Sequence, residues 1–160
     1  MSVTDIKRRT FLKGSLAGSV VAIAAGAGLL TPQLVLAAWP KAAFEAKDVK
    51  TAMTSLHGGD ATTASGKIKM KAPDIAENGA VVPVSVDASG LGNVSAITVI
   101  AEKNGLPLAA SFNLASNAEG FVSTRIKLSK TSKVIAVAKS GGTLYSASKD
   151  IKVTIGGCGG

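Results

Sequence analysis

Beyond Gly66, apolar and polar residues alternate in a series of short segments that are separated by turn residues. Ile68, Met70 and Ala72 alternate with lysines, and the same period of two recurs along the rest of the chain. Successive side chains of a β-strand point to opposite faces, so this period places the apolar residues of each segment on one face of a sheet. The pattern predicts six or seven short strands, an all-β, immunoglobulin-like antiparallel β-sandwich.

The strand boundaries follow from where the alternation meets turn residues. Glu77-Asn78-Gly79 and Ser140-Gly141-Gly142 are turn signals, and Asn104-Gly105 predicts a tight hairpin because both residue types tolerate positive φ. Pro83 has no N–H for a ladder, so its strand is expected to have a free side there. The expected strands are residues 68–72, 82–86, 94–102, 108–114, 122–128, 134–138, and 144–148 leading into 151–155.

One helix is predicted before these strands. Between residues 41 and 56, Phe44, Val49, Met53 and Leu56 recur near helical spacing. Two glycines follow at 58 and 59 and end the run. We expect a single short N-terminal helix.

The first 37 residues resemble a signal peptide. Arg8 and Arg9, with the residues that follow them, resemble the twin-arginine export motif, and an apolar run rich in Gly and Ala comes next. A bilayer-spanning helix is the competing interpretation, but glycines dilute the run and Pro32 ends it. We predict a twin-arginine-type signal peptide over 1–37, cleavage after Ala37, a periplasmic protein, and no membrane insertion after cleavage.

The remaining 123 residues allow one compact domain, over 38–155. They carry 14 basic and 9 acidic side chains, a net charge of +5. The lysines are scattered and Arg125 is the only arginine among them, which argues against a nucleic-acid partner. The simplest interpretation of this charge is a solvated surface, and it is also compatible with a preference for small anions or for an acidic partner surface. With one cysteine in 160 residues, the domain has no internal disulfide and depends on packing.

The segment with the strongest functional signal follows the last strand and reads Gly156-Gly157-Cys158-Gly159-Gly160. Glycine lacks a Cβ and samples φ of either sign, so the four glycines predict a flexible arm over 156–160. A cysteine thiolate on such an arm can be loaded and unloaded through S–S bonds. The sequence offers it no activating group, because His57, the only histidine, is far from Cys158. Catalysis is therefore expected from partner proteins.

Each of these candidate residues also has a simpler explanation. Cys158 could be an idle thiol in a disordered tail, although paired glycines on both sides argue against that. His57 fits a surface or capping residue better than a metal ligand, because a metal site needs several grouped donors. Lys149 and Lys152 are expected to be ordinary solvent-facing strand residues, with guidance of anions to the arm as the less favoured role.

The C-terminal stretch from Gly120-Phe121-Val122-Ser123 to the terminal Gly-Gly-Cys-Gly-Gly resembles the SoxY family of sulfur carriers. The segment from Glu77 to Val84 is similar to that family as well. The resemblance implies a covalent carrier of intermediates in periplasmic thiosulfate oxidation, with no catalytic site, no metal and no bound cofactor. Cys158 would be the sulfur attachment site, carrying a cysteine S-thiosulfonate adduct.

The same resemblance implies a set of partner proteins. SoxZ would form a heterodimer with the carrier. The c-type cytochrome SoxAX would attach thiosulfate oxidatively to the cysteine, the hydrolase SoxB would release sulfate, and the sulfane dehydrogenase SoxCD, where present, would oxidise the remaining sulfur. Haem and other redox centres would belong to these partners.

Two other classes of protein remain open at this point. Ubiquitin-like sulfur carriers also end in Gly-Gly, but they need ATP-dependent activation in the cytoplasm and no cysteine at Cys158. An exported structural or adhesive immunoglobulin-like subunit would use Cys158 for an intermolecular disulfide, as an unpaired cysteine in an exported protein often does.

Overall fold

The structure is a computed structural model that describes residues 39–154. The chain divides into two units, Met1–Trp39 and Pro40–Gly160, and all the elements below belong to the second. The predicted signal peptide with Arg8 and Arg9, and the predicted arm with Cys158, lie outside the described residues. Within 39–154, no helix is long and apolar enough to cross a membrane.

The described residues form two short helices and nine strands, with a single 3-10 turn at Ser89–Leu91. The helices are α1 (Lys41–Phe44) and α2 (Val49–His57). The strands are β1 (Thr63–Ala64), β2 (Lys69–Lys71), β3 (Ile75–Ala76), β4 (Val82–Asp87), β5 (Val94–Ala101), β6 (Leu108–Asn113), β7 (Phe121–Ile126), β8 (Ser132–Ser140) and β9 (Thr143–Val153).

The strands form two sheets that pack face to face. One sheet has the order β2-β4-β7, and the other has the order β1-β9-β8-β5-β6. Neighbouring strands are antiparallel, except that the two-residue strands β1 and β3 pair in parallel with the same strand, β9. The all-β sandwich predicted from the period-two pattern is confirmed.

The hydrophobic core lies between the two sheets. Val82, Val84 and Val86 are completely buried, as are Val134 and other inward residues of β8, so the predicted alternation places the apolar set inside. The lysines that alternate with Ile68 and Met70 are exposed. Apolar burial of this kind contributes about 25 cal/mol per Å² and is the main stabilising term in a domain without a disulfide.

The predicted single helix is two helices. Residues 45–48 separate α1 from α2. At the end of this break, the Asp48 carboxylate accepts a hydrogen bond from the Thr51 N–H at 2.8 Å and caps the start of α2. Gly58, at φ +80°, ends α2 in the left-handed conformation that favours glycine. An N-cap aspartate followed by helical spacing is a start signal inside the expected helix, and it overrides the apolar periodicity.

Both helices pack on the outer face of the larger sheet, where they form a second apolar cluster with β5, β6 and β8. Met53 packs there with Ile100 of β5 and Val137 of β8. Strand β5 is therefore buried on both faces, which explains why its sequence is almost continuously apolar from residue 96 onward.

The hairpin between β5 and β6 is present, but the predicted tight turn at Asn104-Gly105 is wrong. Neither residue has a positive φ, and the strands are joined by the six-residue loop 102–107. Asn104 instead bonds the neighbouring β7–β8 connection, donating to Lys127 O at 2.7 Å and accepting from Ser129 N–H at 3.0 Å. The tight turn predicted at Ser140-Gly141-Gly142 is confirmed, since Gly141 and Gly142 both have positive φ.

The prediction for Pro83 is confirmed, and that for β6 needs a correction. Strand β2 pairs only with 85–87 of β4, so Pro83 has no ladder partner on that side. In β6, a register shift opposite Val99 and Ile100 turns Leu108 to the helix side, whereas Ala110 and Phe112 face the core. A β-bulge inserts an extra residue and breaks the period of two, which a pattern alone does not reveal.

Candidate functional site at the end of strand β9

Strand β9 leads to the segment that contains Cys158, and its last residues are held from both edges. On one edge, Lys152 N–H donates to Asp74 O at 2.9 Å and Thr154 N–H donates to Ala76 O at 3.2 Å. On the other edge, β8 does not extend this far along β9. There the Thr131 hydroxyl accepts a hydrogen bond from the Val153 N–H at 3.0 Å. These hydrogen bonds fix the chain up to Thr154. We call residues 152–154 the arm root.

The side chain of Lys149 ties β9 to the segment between β2 and β3. Its Nζ donates to Ala72 O at 2.5 Å and lies 2.9 Å from Asp74 Oδ1. The Lys149 side chain is 31% exposed, so the prediction that it faces solvent is wrong. Lys149 shares the inward face of β9 with Tyr145 and Ile151, and its ammonium reaches out across the sheet edge. Lys152 is exposed, as predicted.

The arm root is also packed closely against the turn before β4. A Cβ added to Gly79 would lie 2.4 Å from Leu128 O and 2.9 Å from a Val153 methyl group. Leu128 N–H in turn donates to Gly79 O at 2.7 Å. The turn predicted at Glu77-Asn78-Gly79 therefore requires glycine because of a tertiary contact, in addition to its turn geometry.

His57 lies at the opposite end of β9. It lines a cleft of about 410 Å³ together with Thr143 and Leu144, the first residues of that strand. Ten residues of strand separate Thr143 from Val153, on the order of 30 Å at about 3.3 Å per residue. The structure does not bring His57 to the arm root.

The imidazole of His57 has a structural contact that the sequence did not indicate. Its Nε2 lies 3.0 Å from the hydroxyl oxygen of Thr98, a completely buried residue of β5. Burial of the ring lowers the pKa of His57, and the positive charge of Lys139 lowers it further. The expectation of a surface or capping residue is thus only half right, because His57 ends α2 but is half-buried.

Within 39–154, no group of three or more His, Cys, Asp or Glu side chains is placed to hold a metal ion. Sequence reasoning missed three residues at the arm root: Asp74, Thr131 and the structural role of Gly79. Asp74 and Thr131 lie in connections, and only the parallel pairing of β3 with β9 brings Asp74 to the root.

Comparisons with known proteins agree with this architecture. The family model described as "Sulfur oxidation protein SoxY" matches residues 53–158. Among solved structures, the sulfur carrier protein SoxY from Chlorobium limicola f thiosulfatophilum matches with a TM-score of 0.61 and 36% sequence identity, covering 71% of this chain and 97% of that chain. No curated protein gives a significant match.

The fold and the fixed arm root define a class of protein: a small β-sandwich whose last strand is anchored up to the point where a cysteine-containing C-terminal segment begins. The matches over most of the chain give the family. The chain belongs to the SoxY family.

Proposed function

We propose that this protein is a covalent sulfur carrier in periplasmic thiosulfate oxidation, and that Cys158 holds the sulfur. The observation that supports this most directly is that the SoxY family match runs from residue 53 to Cys158, the only cysteine of the chain. The related Chlorobium protein is described as a sulfur carrier. The folded body presents the arm and the partner enzymes supply catalysis, so the carrier itself needs no bound cofactor and no metal.

The chemistry at Cys158 balances as follows. The Cys158 thiolate and the terminal sulfur of thiosulfate form an S–S bond, and the two electrons released pass to the c-type cytochrome SoxAX. Water then cleaves the S–S bond to the sulfonate at SoxB, which releases sulfate and two protons and leaves a persulfide on Cys158. SoxCD, where present, oxidises that persulfide. Thiolate is the reactive form, and an ordinary thiol pKa of about 8.5 supplies a minority of it at neutral pH.

The arm and its root have different roles in this proposal. Gly156, Gly157, Gly159 and Gly160 give the arm a free choice of backbone conformation, so that one cysteine can enter several active sites. The hydrogen bonds of Lys152, Val153 and Thr154 fix the point from which the arm starts. SoxZ is the proposed heterodimer partner, and Arg8 and Arg9 are the proposed export motif for a periplasmic location.

The test is the intact mass of the protein purified from the periplasm of thiosulfate-grown cells, before and after reduction, with Cys158→Ser as control. The expected result is a set of reducible sulfur or thiosulfate additions on the wild type alone. A bare thiol, or only a disulfide-linked homodimer, would support the alternative of an exported structural or adhesive subunit. The SoxY family match argues against the ubiquitin-like alternative.

A further inference from the structure

The outer face of the three-stranded sheet is open to solvent and carries a cluster of positive charge. Neither helix covers it, because both pack against the other sheet. Its side chains belong to the outward positions of β2, β4 and β7 and to the residues that continue the alternation just before β2 and just after β7. We call this surface the basic face. Its cations are Lys67, Lys69, Lys71, Arg125 and Lys127.

The strand register places these cations around a centre of small hydroxyl residues. Lys71 lies across from Ser85, which lies across from Ser123, and the two serine hydroxyls are 2.9 Å apart. Arg125 lies across from Pro83 in the next row. Phe121 is 50% exposed at the other end of the same face, beside Asp87. Arginine and aromatic side chains are enriched at protein contact sites, and the rim of such sites is polar, so Phe121 and Arg125 with the surrounding lysines fit a contact site with a charged rim.

The positive charge of the basic face is partly offset at one end, where Asp87 lies across from Lys69. Among the residues that the structure describes, none of its five cations forms an ion pair. Asp87 accepts hydrogen bonds from the Ser89 hydroxyl and N–H, and these lower its pKa, as does the positive charge of Lys69. Lys67, Lys69 and Lys71 are two residues apart along the chain, as are Arg125 and Lys127, which corresponds to about 7 Å in an extended strand. This is inside a Debye length of about 8–10 Å, so these cations repel one another. An acidic surface would relieve this repulsion.

The position of the basic face favours docking during carrier function. At one end of the face, Arg125 and Lys127 are followed along the chain by Leu128. Leu128 contacts Gly79 beside the arm root. Asp87 lies across from Phe121 at the end of the face away from the root, and Asp74 at the root is paired with Lys149. A protein bound to this face would therefore have the C-terminal segment starting at its border.

We infer that the basic face is the docking surface for an acidic surface next to the active site of the carrier's enzyme partners. This inference rests on the proposed function and deepens it. Electrostatic attraction between the two surfaces accelerates their encounter, and the resulting complex dissociates readily. Both properties suit a carrier that visits several enzymes in turn. Lysines on exposed strands also discourage edge-to-edge aggregation, but that role requires no cluster beside the arm root.

The test compares two charge-reversal variants with the same change in net charge. Lys71→Glu with Lys127→Glu alters the basic face, and Lys47→Glu with Lys50→Glu alters exposed residues on the helix side of the sandwich. Each is prepared as the mature chain in complex with SoxZ and loaded with thiosulfate. The kcat/KM for sulfate release by purified SoxB is measured at ionic strengths of about 0.02 M and about 0.5 M. Melting temperatures of both variants verify folding.

The expected result is a loss of about tenfold or more in kcat/KM at low salt for the basic-face variant, with kcat at saturation unchanged. The loss should shrink at high salt, and the helix-side variant should change much less. Equal effects of the two variants would overturn the inference, as would an effect confined to binding of anionic lipid vesicles. If the wild type itself releases no sulfate, the proposed function fails; if it does and the variants match, only the docking inference fails.

Discussion

His57 joins the end of helix α2 to the middle of the larger sheet through the buried hydroxyl of Thr98. A neutral imidazole can share a hydrogen bond with that hydroxyl at little cost, whereas an imidazolium in a half-buried site loses hydration and is repelled by Lys139. The residue is structural in the described fold, although the sequence singled it out only as the one histidine.

Lowering the pH should therefore destabilise the protein through His57. The pKa of His57 in the folded state lies below the ordinary value of 6.5, so the unfolded state takes up more protons. The stabilising contribution of His57 is therefore lost as the pH falls from above 6.5 through the pKa of the folded state. We expect the free energy of unfolding to decrease between about pH 7.5 and pH 5.5. The measurement is urea unfolding at several pH values for the wild type and His57→Gln. A slope of equal size in both proteins would contradict this assignment.

Gly79 is another residue whose importance depends on contacts far along the chain. The turn signal around it was correctly predicted, but the reason that no larger residue fits is the backbone carbonyl of Leu128. A residue forty-nine positions away cannot be paired with Gly79 by local pattern, because the contact arises only when β7 and the turn before β4 meet.

At the scale of elements, strand β9 is the part of the fold most directly involved in the proposed function. It pairs with β8 from Thr143 to Ile151, and the short strands β1 and β3 cover parts of its other edge. An exposed strand edge invites pairing with other chains, so these short parallel strands protect β9 as well as hold it. The tie from Lys149 to Ala72 and Asp74 secures the end near the arm root.

Replacing Lys149 should loosen the arm root without unfolding the domain. Lys149→Met removes one hydrogen bond and an ion pair whose Asp74 side is exposed, so the expected loss of stability is about 1 kcal/mol. Amide exchange at Lys152 and Thr154 should become faster, because their acceptors, Asp74 O and Ala76 O, lie on the released segment. Lys152→Met, an exposed neighbour without an ion pair in the described structure, is the matched control. Unchanged exchange at both amides in the Lys149 variant would show that the tie is unimportant.

At the scale of the whole molecule, the sandwich core and the helix-covered outer face form one domain that is complete within the described residues. Ile151 and Val134 are fully buried between the sheets, and Met53 of α2 is buried against the larger sheet. Cys158, which is proposed to carry the sulfur, lies outside the described residues.

Removing residues 155–160 should leave the stability of the domain unchanged. The expected shift in melting temperature is within about 2 °C, since the two apolar clusters found within residues 39–154 stay intact and four of the six deleted residues are glycines without side chains. Ile151→Ala in the same strand should instead cost about 2–5 kcal/mol, because it opens a cavity in the core. Thermal unfolding followed by circular dichroism distinguishes the two. A deletion as harmful as Ile151→Ala would mean that the terminal segment is part of the core.

The sequence by itself determined the fold class, the inward face of most strands and the turn at Gly141-Gly142. Period-two alternation and glycine turn chemistry are local properties, so they can be read without knowing which strands are neighbours. The resemblance to SoxY also rested on local motifs, and the family match agrees with it. Cys158 as the attachment site remains a prediction.

Only the tertiary structure decided how those local pieces interact. The break between α1 and α2, the loop at Asn104, the bulge in β6 and the inward position of Lys149 all depend on which segments meet. The parallel pairing of β3 with β9 and the clustering of cations on one open sheet face have the same origin. Packing between residues distant in sequence sets these features, and an alternating pattern fixes the face of a side chain but not its neighbour.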